Sequence, residues 1–219
     1  MQNNQPITQA EKAYRLLEED IVSLQLKPGQ VISENEISKK LNIGRMPIRE
    51  AMKKLEFANL LVTLPRKGVM IKDITVEELL QQLEVRTVLE RLIVERATKY
   101  LEEDDKKRLL ELAVEYEEAT KERNADKAVY VDNEFNILIG KASKNPSAFN
   151  AISPFQIAAR RVYYLNYYID EKLIYDINYA HIDLMRVMVT GDVEKALKQL
   201  DYLLQCIKKL NCLRLNLWT

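Results

Sequence analysis

Arg45, Arg49 and Lys53 recur every four residues, turned away from Ile48, Ala51, Met52 and Leu55, whose i, i+3, i+4, i+7 spacing marks a core-facing helical stripe. An exposed basic row of this kind suits a DNA major groove. Arg can hold guanine O6 and N7 bidentately, while other cations meet phosphates. Arg66 and Lys67 sit in a Pro65–Gly68 turn, where they would lie against the DNA backbone or in the minor groove. A second group of polar residues interrupts apolar stripes. Arg86 and Glu90 share a face with Leu79, Leu83, Ile93 and Ala97; Asp132 and Asn136 share one with Phe135 and Ile139. His181, the chain's one histidine, shares a face with Ile177, Leu184, Met185 and Met188. A buried Arg needs an anion, which Glu90 at i+4 or a carboxylate ligand can supply. Six of the eleven tyrosines fall between Tyr163 and Tyr179, just after Arg160 and Arg161. Buried Tyr rings combine apolar walls with a hydroxyl handle, and one or two of them, such as Tyr163 and Tyr179, would face a ligand.

The elements that must position these residues are mostly helices. Helix signals run over about 7–26, carrying Ala13, Leu16, Leu17, Ile21 and Leu24 before Lys27-Pro28-Gly29, and over about 34–41, opened by a Ser33/Glu36 capping box and closed at Asn42. After a break at Ile43-Gly44, Pro47 fits the first turn of a helix reaching about Ala58. Two short helices split by a Gly-containing turn make a helix-turn-helix. The runs Leu61–Leu64 and Val69–Ile71 around Pro65-Arg66-Lys67-Gly68 read as a hairpin, giving a winged helix. The bland alternative is a solvated charged face; helix-turn-helix and wing together weigh against it. Lys72-Asp73-Ile74 is a short linker, and Thr75 with Glu78 forms another capping box. Six helices follow, over about 76–101, 104–123, 126–143, 147–167, 171–190 and 193–214, forming a bundle able to enclose a cavity. The expected fold is therefore mainly α, with a winged helix-turn-helix over 7–74 and a six-helix antiparallel bundle over 75–214. Residues 1–6 are expected to be loose.

Composition is consistent with this division. Among 219 residues, 47% are hydrophobic and only five are Gly and six Pro. Net charge is zero, yet residues 1–74 carry 12 Lys/Arg against 9 Asp/Glu, placing the positive excess where nucleic acid would bind. Cys206 and Cys212 do not face each other on one helix and read as reduced thiols. The start lacks an apolar signal segment and no later run approaches a membrane span, so a cytoplasmic protein is expected.

The stretch NIGRMPIREAMKKLEFANLL followed by PRKGVMI resembles the GntR winged helix-turn-helix, whose recognition helix typically reads (Ser/Thr)-Arg-x-Pro-Val-Arg-Glu-Ala-Leu ahead of a Gly-containing wing. Arg45, Pro47, Arg49, Glu50, Ala51, Leu55 and Gly68 match; Gly44 stands where the family usually has Ser or Thr, which would lose a hydroxyl contact to phosphate. The resemblance implies base and phosphate reading by Arg45 and Arg49, with Met46 at the variable position. The candidate DNA-contacting set is thus Ser33, Arg45, Met46, Pro47, Arg49, Lys53, Arg66, Lys67 and Gly68.

The later chain resembles the ligand-binding (FCD-type) domain of the FadR branch of that family, nearer its six-helix VanR-like form. Glu84, Arg86, Leu89 and Glu90 match its E-x-R-x-x-L-E segment. Its D-x-x-F-H segment is matched by Asp132 and Phe135, with Asn136 in place of histidine; His181 and Gly191-Asp192 match a later pattern whose final histidine is here Leu203. Two of the four ligands of the family's divalent-metal site therefore remain, Asp132 and His181, and an amide with a leucine cannot replace two imidazoles. No cofactor is expected, a divalent metal held by Asp132 and His181 remaining the alternative.

The resulting expectation is a dimeric repressor on a short palindromic DNA site, released or recruited by a small organic acid held near Arg86, Asp132, Asn136, Tyr163, Tyr179 and His181. Two other readings remain: a metal-dependent helical hydrolase using Asp132 and His181 with a DNA-targeting domain, and a DNA-binding protein with a vestigial bundle.

Overall fold

The computed structural model describes residues 7–213. The loose segment expected over residues 1–6 and the last expected helical position, 214, lie outside them. The chain divides between Ile74 and Thr75 into two compact units.

In the first unit α1 (Gln9–Val22) is capped by Thr8, whose hydroxyl accepts the Glu11 amide. It stops four residues before the expected end. Leu24 takes a left-handed φ of 64° and the Leu26 amide turns back to the Asp20 carbonyl. Burial of Leu26 accounts for this early reversal: its side chain enters the core, which a continued helix would turn away. α2 (Glu34–Leu41) has the full Ser33/Glu36 capping box, and Asn42 at φ 52° ends it. α3 (Arg45–Phe57) buries Ile48, Ala51, Met52 and Leu55. α1 and α2 pack against α3.

The hairpin strands are β2 (Leu61–Leu64) and β3 (Gly68–Ile71), paired Leu61 with Ile71 through Leu64 with Gly68. A further strand that the hydrophobic pattern did not disclose, β1 (Val31–Ile32), pairs antiparallel with β3, giving the order β1-β3-β2. Two residues are too few for a periodic signal. Gly68 is required here: its φ is 108°, and a Cβ would lie 2.6 Å from the Ile32 carbonyl oxygen of β1.

The second unit contains α4 (Val76–Tyr100), α5 (Glu103–Lys121), α6 (Ala125–Ala142), α7 (Pro146–Asn166), α8 (Glu171–Val189) and α9 (Val193–Leu213). Side chains of Thr75, Asn124, Asn145 and Asp170 cap four of these helices at their N-termini. α4 is the hub, packing on α6, α7, α8 and α9, while α5 closes the bundle against α6 and α8. Gly140 lets α6 approach α7, since a Cβ there would lie 2.3 Å from the Phe149 ring. No described helix is long and apolar enough to cross a membrane.

Candidate nucleic-acid interface and effector cavity

α3 presents its basic row to solvent because the opposite face supplies the core. Arg45, Arg49 and Lys53 are exposed, as is Met46, 63% accessible at the start of the helix. Gly44 is the N-cap and offers no side chain to the free amides; Pro47 occupies the first turn, where its missing N–H costs no helical hydrogen bond. At the hairpin tip Arg66 holds φ 65° and Lys67 donates its amide to the Leu64 carbonyl, leaving both cationic side chains exposed. Ser33 lies at the start of α2 with its hydroxyl turned to the Glu36 amide, so its structural role is the cap.

Arg49 is not simply a free cation. Its Nε and Nη2 each donate to a Glu34 carboxylate oxygen at 2.8 Å, a planar two-point pair across the helix-turn-helix. The Arg49 hydrogen bond holds the Glu34 carboxyl below its usual range, with Arg45 and Lys53 adding to the effect. Glu34 thus fixes the guanidinium fork and also competes with any phosphate or base for it.

In the bundle, three helical stripes converge on one cavity of about 60 Å³. α4 contributes Arg86 and Glu90, α6 Asp132 and Asn136, and α8 Ile177, His181 and Leu184. α7 adds Gln156, Arg160 and Tyr163, while Leu203 and Asn211 of α9 complete the wall. Arg86 donates from Nε and Nη2 to one Glu90 oxygen, at 3.0 and 2.6 Å, with both side chains about nine-tenths buried. Burial alone would raise the Asp132 pKa, but His181, hydrogen-bonded and 3.2 Å away, together with Arg160 and Arg86 outweighs it and the carboxyl titrates below its usual range. His181 Nδ1 lies 2.9 Å from the Ile177 carbonyl oxygen and its Nε2 3.2 Å from Asp132 Oδ1, so the imidazole is held from both nitrogens. Tyr116 and Phe135 wall the imidazole at centroid distances of 5.5 and 6.2 Å. Tyr163 donates its hydroxyl to Asn178 at 3.0 Å, and burial pushes its pKa well above that of a free phenol.

The donor set does not fit a resident divalent metal. Asn136 donates from Nδ2 to the Asp132 carbonyl, and its Oδ1 accepts from Gln156 at 2.9 Å. Leu203 offers no donor, and no group of three His, Cys, Asp or Glu side chains among the described residues could hold a metal ion. That leaves two protein ligands where a stable zinc site has three or four.

Tyr179 stands apart from the cavity. It lies two residues from both Ile177 and His181, hence on the far side of α8, and stacks on Tyr175 at 4.4 Å. Gln156 and Asn211 were not legible as cavity residues, and Arg160 was only a neighbour of the tyrosines. The spacing of Gln156, Arg160 and Tyr163 at i, i+4 and i+7 was the available signal.

Comparison with known proteins bears on both units. The family described as "Bacterial regulatory proteins, gntR family" matches residues 9–71, and the FCD domain matches residues 81–205. The chain is 26% identical over 163 residues to the HTH-type transcriptional repressor RspR of Escherichia coli strain K12, covering 74% of this chain and 71% of that one. It is 34% identical over 108 residues to the uncharacterized HTH-type transcriptional regulator YdhC of Bacillus subtilis strain 168, covering 49% and 47%. The solved structure of E. coli McbR/YncC shares the fold at a TM-score of 0.86 and 18% identity, covering 95% of this chain and 99% of that one. With a helix-turn-helix and wing ahead of a helical ligand-type domain, the chain belongs to the GntR family of bacterial transcriptional regulators and carries an FCD domain.

Proposed function

We propose that this regulator is a dimeric repressor that holds a short palindromic operator in the cytoplasm and responds to a small organic acid bound in the bundle. The observation that carries the effector reading is the convergence of Arg86, Arg160 and His181 with only two carboxylates, Glu90 and Asp132, on one cavity. Two guanidinium groups and an imidazole there offer hydrogen-bond donors of the kind that hold a carboxylate. The 60 Å³ of open space favours a short-chain acid over a large ligand. Direct recognition by guanidinium and imidazole replaces the divalent metal implied by the family resemblance. An effector changes DNA binding only insofar as it prefers one arrangement of the dimer over the other.

The test is a DNA-release assay across short mono-, di- and hydroxycarboxylic acids, paired with thermal shift. At least one acid is expected both to stabilise the protein and to change operator affinity. The paired neutral variant Arg86→Gln/Glu90→Gln is expected to abolish both responses while retaining DNA binding. Acids that stabilise the variant as well as the wild type would disprove binding at Arg86.

A further inference from the structure

A second cavity, of about 300 Å³, opens at one end of the bundle. Its floor is polar and buried, with Asn178 1% and Thr120 9% accessible; its walls are the rings of Tyr167, Tyr168 and Tyr175; its rim carries Arg123, Glu171 and Lys172. Its volume lies at the lower limit of those that hold small organic ligands. We propose that this cleft is a separate binding site for a single-ring hydroxylated aromatic carboxylate.

Three features select that class. Tyr168 and Tyr175 are 80% and 51% accessible, large rings left in water at the lip of a concave site, while Tyr167 is buried behind Tyr168 with centroids 5.0 Å apart in an edge-on arrangement. A planar ring entering the cleft covers this apolar surface and packs on Tyr168 and on the face of Tyr175 turned away from Tyr179. The floor supplies a fixed polar contact. Asn178 accepts the Tyr163 hydroxyl through Oδ1 at 3.0 Å and donates through Nδ2 to Thr120 Oγ at 3.1 Å, so its amide plane is held from both sides. An amide oxygen has two acceptor positions and the NH₂ two donor hydrogens, which leaves one of each with which to meet a ring hydroxyl. The rim carries two cations against one carboxylate: Arg123 contacts Glu171 at 2.9 Å, and Lys172 follows on the first turn of α8. The excess positive charge sits at the mouth, opposite the polar floor, where a para- or meta-placed carboxylate would emerge.

Titration calorimetry of the full-length protein with 4-hydroxybenzoate tests the site, with benzoate as the analogue lacking the hydroxyl. One 4-hydroxybenzoate per chain is expected, bound more tightly than benzoate. Tyr175→Ala and Lys172→Gln, both at exposed positions that leave the core intact, are each expected to weaken binding, the former by roughly tenfold. Arg86→Gln/Glu90→Gln in the central cavity is expected to leave it unchanged. Binding lost in the central variant but kept in Tyr175→Ala would place the ligand in the other cavity and overturn the proposal. Absence of any binding by the wild type at millimolar ligand would overturn it equally.

Discussion

At the level of single residues, charge pairs dominate both candidate sites. Arg49 can read DNA only by leaving or sharing Glu34, and an exposed pair of this kind is weaker than a specific base contact. Arg49→Ala is therefore expected to weaken operator binding by about 1–3 kcal/mol. Glu34→Ala, which removes the carboxylate paired with Arg49, is expected to tighten binding to non-operator DNA; fluorescence anisotropy on both DNAs measures the two effects. Asp132 provides a pH-dependent counterpart in the bundle. Its folded pKa lies below the ordinary carboxyl value, so its contribution to stability is present above about pH 4 and is lost as pH falls through the folded value. Chemical denaturation across that range is expected to show a shallower acid decline for Asp132→Asn than for the wild type. Equal slopes would mean that Asp132 is not the depressed carboxyl.

At the level of elements, the N-terminus of α3 is the least supported of the helix starts described above. Gly44 has φ −57° and ψ 153°, ordinary values for a residue with a side chain, and a Cβ there meets only Pro47 Cδ at 3.7 Å. Gly44→Ser can thus cap the helix without strain and also restricts the unfolded chain. A gain of about 0.5 kcal/mol in stability is expected by thermal melting, together with tighter DNA binding through the added hydroxyl. Reduced stability would show that the glycine serves a backbone need not evident in its dihedrals. By contrast, Thr75, Asn124, Asn145 and Asp170 already cap α4, α6, α7 and α8, so the bundle offers little to gain at these positions.

For the whole molecule, the two units divide charge as they divide labour. The positive excess lies in residues 1–74, and Arg66 and Lys67 are exposed at the tip of the wing. Lys67→Ala is expected to lower affinity evenly for operator and random DNA and to reduce the slope of log K against log salt by about one. A loss confined to the operator would instead make Lys67 a base reader.

The sequence alone determined the helix-turn-helix, the hairpin, the six later helices and the inward faces of α4, α6 and α8, because each is encoded by local periodicity and capping chemistry. Ser33/Glu36, Thr75/Glu78 and the Arg86–Glu90 stripe are signals contained within one element. Tertiary structure decided what lies between elements: the β1–β3 pairing, the Glu34–Arg49 fork, Gln156 capturing Asn136, and the 3.2 Å approach of Asp132 to His181. It also turned Tyr179 away from the cavity and gathered Tyr167, Tyr168 and Tyr175 around a second one. The reason is physical. Periodicity fixes which face of a helix is buried, but partners distant in sequence and the angle at which helices meet fix which buried side chains share a space.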